Sequence, residues 1–162
     1  MDEFEGTDEL RLGEAGERVR ELLERIAAGA GVEARVEVRE DDDGVHAEYI
    51  GDDLGALIGH HGQTIDAIQH LAYRIANGAQ QARTHVAVDA AGYRERRAMA
   101  LRAAADQAAE TALHDRRPVA LGAMSAVERK VVHEHLKDRH DVETYSEGQE
   151  PDRRLVVAPL VD

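Results

Sequence analysis

Residues 54–77 read LGALIGHHGQTIDAIQHLAYRIAN, and two glycines three apart interrupt them between two apolar-patterned segments. Residues 53–58 carry enough apolar character for a short helix ending at Gly59. A second helix opens after Gly62, with Ile65, Ile68, Leu71, Ala72, Ile75 and Ala76 spaced to face inward, and Asn77-Gly78 supplies its stop. A helix–G-x-x-G–helix turn removes side chains where a ligand must come close to the backbone. It also presents the unpaired N–H groups and positive dipole end of the second helix.

The flanking sequence places this turn in a larger unit. From Glu14 to about Ala30, Ala15, Val19, Leu22, Leu23 and Ile26 recur at helical spacing, and Gly29 and Gly31 end the helix. VEARVEVRE (32–40) alternates strictly, with Val32, Ala34, Val36 and Val38 on one face, as a half-buried strand does. DDDG turns the chain into VHAEYI (45–50), which completes a hairpin, and THVAVD (84–89) reads as a third strand. The order α-β-β-α-α-β predicts helices on one face of a three-stranded sheet.

A second unit follows, with a boundary expected near Asp89 to Gly92. Residues 90–115 form an Ala-rich helical stretch whose Ala100, Ala104 and Ala108 are expected to face inward. RRPV breaks it at Pro118, and SAVE (125–128) is a capping box for a helix running to about Asp138. On that helix Arg129 and His133 stand four apart and share a face. Lys137 continues their stripe, and Val127, Val131, Val132 and Leu136 are expected on the core side. VETYS (142–146) and RRLVVA (153–158) read as strands, so this unit is expected to run α-α-β-β. An i,i+4 Arg/His pair alone is most often a solvated helix face; the flanking text gives this one its weight.

Composition bounds the chemistry. The 162 residues hold 43% hydrophobic side chains but one Phe and no Trp, so the cores rest on Ala, Val, Leu and Ile. There is no cysteine, which excludes disulfides and thiolate metal sites and fits a reducing compartment. No apolar run approaches the ~20 residues that span a bilayer. The acidic start MDEFEGTDEL is the reverse of a signal peptide, and a cytoplasmic location is expected. The net charge of −13 is unevenly placed: residues 1–90 hold 8 Lys+Arg against 20 Asp+Glu, residues 91–162 hold 12 against 13. Basic clusters at 94–97, 116–117, 129–130 and 153–154 give the second half local anion sites despite an acidic total.

Nine histidines raise the question of a metal. His133 and His135 point to opposed helix faces, HEHL lacks the H-E-x-x-H spacing, and His60-His61 has only Asp66 as a nearby third ligand. No metal, cofactor or catalytic residue is expected. Ser125 and Ser146 are the only serines, and Ser125 is explained as a cap.

Helix–G-x-x-G–helix inside α-β-β-α-α-β resembles a type II KH domain, a single-stranded nucleic-acid module. The text RPVALGAMSAVERKVVHEHL and VETYSEGQEPDRRLVV resembles the bacterial R-x-x-x-H (R-three-H) domain. The fold class expected is therefore α+β: a disordered acidic segment (1–13), a KH domain (14–90) and a small α/β R-x-x-x-H domain (91–162). KH followed by R-x-x-x-H, over about residues 14–158, resembles the bacterial Jag or KhpB (SpoIIIJ-associated) family. That family often has an additional N-terminal domain, for which the 13 residues ahead of the first helix are too short.

The resemblance implies a non-enzymatic, cytoplasmic single-stranded RNA-binding protein linked to envelope growth and division. It also implies a smaller KH-only partner and an association with the YidC-type membrane insertase. By that resemblance Gly59, His60, His61 and Gly62 would clamp about four nucleotides of backbone, with Ile58 and Ile65 as an apolar floor for bases. Arg129 and His133, with Lys130, Arg153 and Arg154, would hold phosphate further along. Tyr93 and Tyr145 are the candidates for stacking in the second unit. The middle pair of the family's turn is commonly Lys or Arg; here it is His-His, and imidazoles are only fractionally charged at neutral pH. The alternative is a protein–protein adaptor of the insertase that keeps the scaffold with little RNA affinity.

Overall fold

The computed structural model describes residues 12–78 and 83–160. The expectation of disorder over 1–13 lies, through residue 11, outside the described residues. The chain divides into two compact units, the first closing at Tyr93 and the second opening at Arg94.

In the first unit, α1 (Glu14–Gly29) begins without a side-chain cap of its own. Glu40 supplies one from a distance: its Oε2 accepts the N–H of Gly13 at 2.8 Å and of Gly16 at 3.0 Å, where a carboxylate also suits the positive end of the helix. Strand β1 (Arg35–Asp41) pairs antiparallel with β2 (Gly44–Ile50), with Val38 opposite Ala47 and Val36 opposite Tyr49. β2 pairs parallel with β3 (Val86–Ala90), which makes β2 the central strand.

Helices α2 (Gly55–Ile58) and α3 (Gln63–Asn77) lie between β2 and β3 in the chain. Val19, Leu23 and Ala27 of α1 and Ile65, Ile68, Ala72 and Ala76 of α3 close over Val45, Ala47, Tyr49, Val86 and Val88. The Tyr49 hydroxyl donates to the Leu23 carbonyl at 2.9 Å, and burial pushes its phenol well above the usual range. Asn77 ends α3 and is itself buried, donating to the carbonyls of Tyr73 and Thr84 and accepting the Thr84 N–H.

The inward stripe of α3 is narrower than its apolar sequence predicts. Leu71 is 50% and Ile75 41% exposed, because they flank the line through Ile65, Ile68, Ala72 and Ala76 that meets the sheet.

After Tyr93, which opens α4 (Tyr93–Asp115) but belongs to the first unit, the second unit takes in the rest of that helix, β4 (Val119–Ala123), α5 (Ala126–Leu136), β5 (Val142–Glu147) and β6 (Arg154–Pro159). Its strands form an antiparallel sheet in the order β4-β6-β5. The expected α-α-β-β order thus lacked a strand. VALGA is small and contains Gly122, so it has weak local strand character. It becomes a strand by pairing Val119 with Val157 and Ala120 with Val156.

The buried line of α4 is Leu101, Ala105, Ala108, Ala109 and Ala112. Ala100 is exposed and Ala104 only half-buried, a one-residue error in phase for two of the three expected positions. Val132 and Leu136 of α5 reach the core with Met124, Val142, Leu155 and Val157, and Val131 packs at its margin. Val127, expected inside, is 72% exposed: it lies in the first turn of α5, ahead of the part that meets the sheet. Both units mix helices with a three-stranded sheet, and the fold is α+β.

Candidate nucleic-acid interface

The turn between α2 and α3 is set by backbone geometry. Gly59 ends α2 at φ 73° and ψ −175°, a region essentially closed to side chains, and Gly62 opens α3 at φ 82°. A Cβ on Gly59 would run into the Thr64 side chain, and one on Gly62 would come within 2.8 Å of the Tyr93 ring. Between them His60, His61 and Gly62 make one 3-10 turn, with His61 itself left-handed at φ 51°.

Both histidines are exposed, and their rings stack with centroids 3.9 Å apart and planes 27° from parallel. The Gly62 cap offers no side chain to the first N–H groups of α3. These groups and two aligned imidazole edges therefore border the same bare turn. Ile58 is half-buried and packs on the core. Ile65 is fully buried among core residues. Its expected place as a floor for bases is corrected: at the third position of α3 it points beneath the turn.

In the second unit the capping box forms as its spacing predicts. Ser125 Oγ accepts the Glu128 N–H at 3.2 Å, and Glu128 Oε2 accepts the Ser125 N–H at 3.0 Å. The second oxygen of that buried carboxylate receives Arg97 Nε at 2.7 Å, tying α5 to α4. Arg129 and His133 then stand one turn apart above a groove of about 390 Å³, bordered also by Lys130, Thr144, Tyr145 and Ser146.

Each principal side chain is held. The Arg129 side chain is only 11% exposed; it donates to the Met124 carbonyl and to a carboxylate oxygen of Glu150, both at 2.6 Å. His133 Nδ1 lies 2.6 Å from Thr144 Oγ1. Lys130 is largely exposed, with Glu134 at 3.8 Å. Arg153 and Arg154 lie outside the groove lining: Arg154 faces Glu147 at 3.4 Å, and Arg153 is half-buried with its Nε enclosed. Among the described residues no three His, Asp or Glu side chains are grouped as a metal site, and no helix is long and apolar enough to cross a membrane.

Residues 17–88 match the family described as KhpA/KhpB, KH domain, and residues 99–159 match the R-three-H domain. The RNA-binding protein KhpB of Clostridium symbiosum is 34% identical over 140 residues, which cover 85% of this chain and 63% of that protein. The protein of that name from Bacillus subtilis is 31% identical over 138 residues, 84% of this chain and 66% of the relative. The one from Lactiplantibacillus plantarum is 41% identical over 104 residues, 64% of this chain and 32% of its own length.

The chain belongs to the KhpB family. It spans between about a third and two thirds of the length of these curated relatives.

Within this KhpB-family chain, sequence reasoning found the G-x-x-G turn and the R-x-x-x-H pair but missed the residues that hold the pair. Thr144 had a usable signal, since it shares a strand face with buried Val142. Glu150 had none, since it lies between two expected strands, and Arg97, which holds Glu128 rather than the pair, read only as part of a basic cluster.

Proposed function

We propose that this chain is a non-enzymatic, cytoplasmic binder of single-stranded RNA, with a KH module over 14–90 and an R-x-x-x-H module over 91–162. The observation that carries this reading is the uncapped start of α3 behind a glycine turn bearing two exposed, stacked histidines. Glycines at both ends of the turn keep bulky side chains off the helix start, and the two imidazoles flank it, as an approaching sugar-phosphate backbone requires. The groove beside α5 takes a further phosphate: Lys130 and His133 reach it directly, and Arg129 presents the N–H groups not held by Met124. Tyr145, 46% exposed at the same groove, is placed to stack on a base. The names of the relatives, each an RNA-binding protein, support the same reading.

A smaller KH-only protein is the partner proposed for the first unit, and exposed Leu71 and Ile75 on α3 offer it an apolar contact. Post-transcriptional control of envelope growth and division is the setting this reading implies, with the YidC-type insertase as a functional neighbour.

Fluorescence anisotropy of a labelled single-stranded RNA, measured at several salt concentrations, tests the central claim. Affinity should fall with salt, with a log–log slope of about −0.7 for each phosphate neutralised. Changing His60 and His61 together to Asp should remove most binding while circular dichroism stays native. Weak, salt-independent binding by the parent, unchanged in that variant, would instead support the adaptor.

A further inference from the structure

We propose that Glu150 is a built-in competitor for the phosphate seat at Arg129, so that RNA enters the α5 groove by exchanging a phosphate for a carboxylate. The inference rests on the reading of that groove as a phosphate site. Arg129 uses its two amino groups differently. One is committed to the carbonyl of Met124, which orients the guanidinium, and the other meets the Glu150 carboxylate. Carboxylates and phosphates engage the same guanidinium fork, so Glu150 occupies a position that a phosphate oxygen would need.

The two partners differ in freedom. The Arg129 side chain is 11% exposed and fixed on α5, whereas the Glu150 side chain is 58% exposed in the connection between β5 and β6. Glu150 can therefore swing into water, where its charge is solvated, while Arg129 stays in place. Lys130 repeats the arrangement more loosely, with Glu134 at 3.8 Å. The two cations at the groove thus carry their own counter-charges. An anion that makes one weak contact gains little by displacing them, and a strand that also reaches His133, Lys130 and Tyr145 gains more.

The test compares the full chain with its Glu150→Gln, Glu150→Ala and Glu150→Asp variants, using a labelled oligouridylate over a range of salt. Removing the charge should tighten binding by between about 1.5- and fivefold, the range expected for releasing one ion pair whose acid partner is exposed. The gain should be largest at low salt and shrink as salt rises, because screening weakens the Arg129–Glu150 attraction that only the parent has to break. Glu150→Asp should keep an affinity and salt dependence close to those of the parent.

Unchanged or weaker binding by both neutral variants, with the parent's salt dependence, overturns the proposal and makes Glu150 a clasp for its loop. Loss of fold in both variants overturns it in the same way. If neither parent nor neutral variants bind, the RNA-binding reading falls with it. If the parent binds and the neutral variants do not improve, only the competitor falls.

Discussion

In the GHHG turn the backbone does the shaping, and in the α5 groove the side chains do. Gly59 and Gly62 hold conformations that open the turn, and the residues between them project from it. Across α5, Arg129 is fixed by Met124 and Glu150, His133 by Thr144, and the helix start by Ser125, Glu128 and Arg97. The first design leaves its middle pair exchangeable and its glycines not. The second makes Arg129 and His133 dependent on residues distant in sequence. Chemical change should therefore be tolerated at His60 and His61 and should propagate from Glu128 or Thr144.

The largest effect is expected at Gly59. Gly59→Ala puts a Cβ into Thr64 and forces a residue into a glycine-only region, at a cost of roughly 3 kcal/mol. Chemical denaturation should show that loss in the first unit. A variant as stable as the parent breaks the claim that backbone geometry defines the turn.

Glu128→Ala comes next. It removes half of a capping box and leaves Arg97 without its carboxylate, for about 2–3 kcal/mol, at the lower edge of a broken buried pair because Arg97 keeps some access to water. Thermal unfolding followed by a probe in the second unit should report it. Restoring stability with Arg97→Leu in the same chain would locate the cost in the orphaned guanidinium.

Thr144→Val keeps the shape of the side chain and removes only the partner of His133. RNA affinity should drop about two- to fivefold, the worth of one hydrogen bond of ~0.5–1 kcal/mol, with little change in melting temperature. A large fall in melting temperature would mean that the hydroxyl serves the fold rather than the groove.

The mildest change sharpens the comparison most. Replacing His60 and His61 by Lys should leave stability nearly untouched and strengthen RNA binding at pH 8. The parent should gain affinity as pH falls from about 8 to about 6. Bound phosphate favours protonated imidazole, the complex then holds more protons than the free protein, and lower pH favours the complex. The double-Lys variant should lose most of that slope, and His133→Gln should keep most of it. The reverse pattern would move the responsive imidazole from the turn to the groove.

Legibility in the sequence followed side-chain contrast. Helices α1 and α3 and the β1–β2 hairpin were readable because large apolar and charged residues alternate at the right periods. The capping box was readable because its two partners are three residues apart. Helix α4 gave no such contrast: a row of alanines looks alike on every face, and only Leu101 marks the buried one. Strand β4 depends on β6 for its identity, and a partner over thirty residues away leaves no local mark.

Leu71, Ile75 and Val127 show the opposite limit. Apolar spacing tells which residues can be covered, and the width of the covering surface decides which ones are. In the site, the G-x-x-G and R-x-x-x-H residues were visible as motifs. Thr144 and Glu150 lie 11 and 21 residues from the His133 and Arg129 side chains they meet, and only the fold brings them together.

The shared carboxylate of Glu128 works as an index mark on a dial. A helix advances about 100° per residue, so sliding the start of α5 by one position would swing Arg129 and His133 more than a quarter turn away from Thr144. Ser125 sets where the dial begins, and Arg97 fixes it to α4, through two oxygens of one side chain. Aim and anchorage in the second unit are thus set at a single point. An altered residue there would mis-aim the groove even where every groove side chain is unchanged.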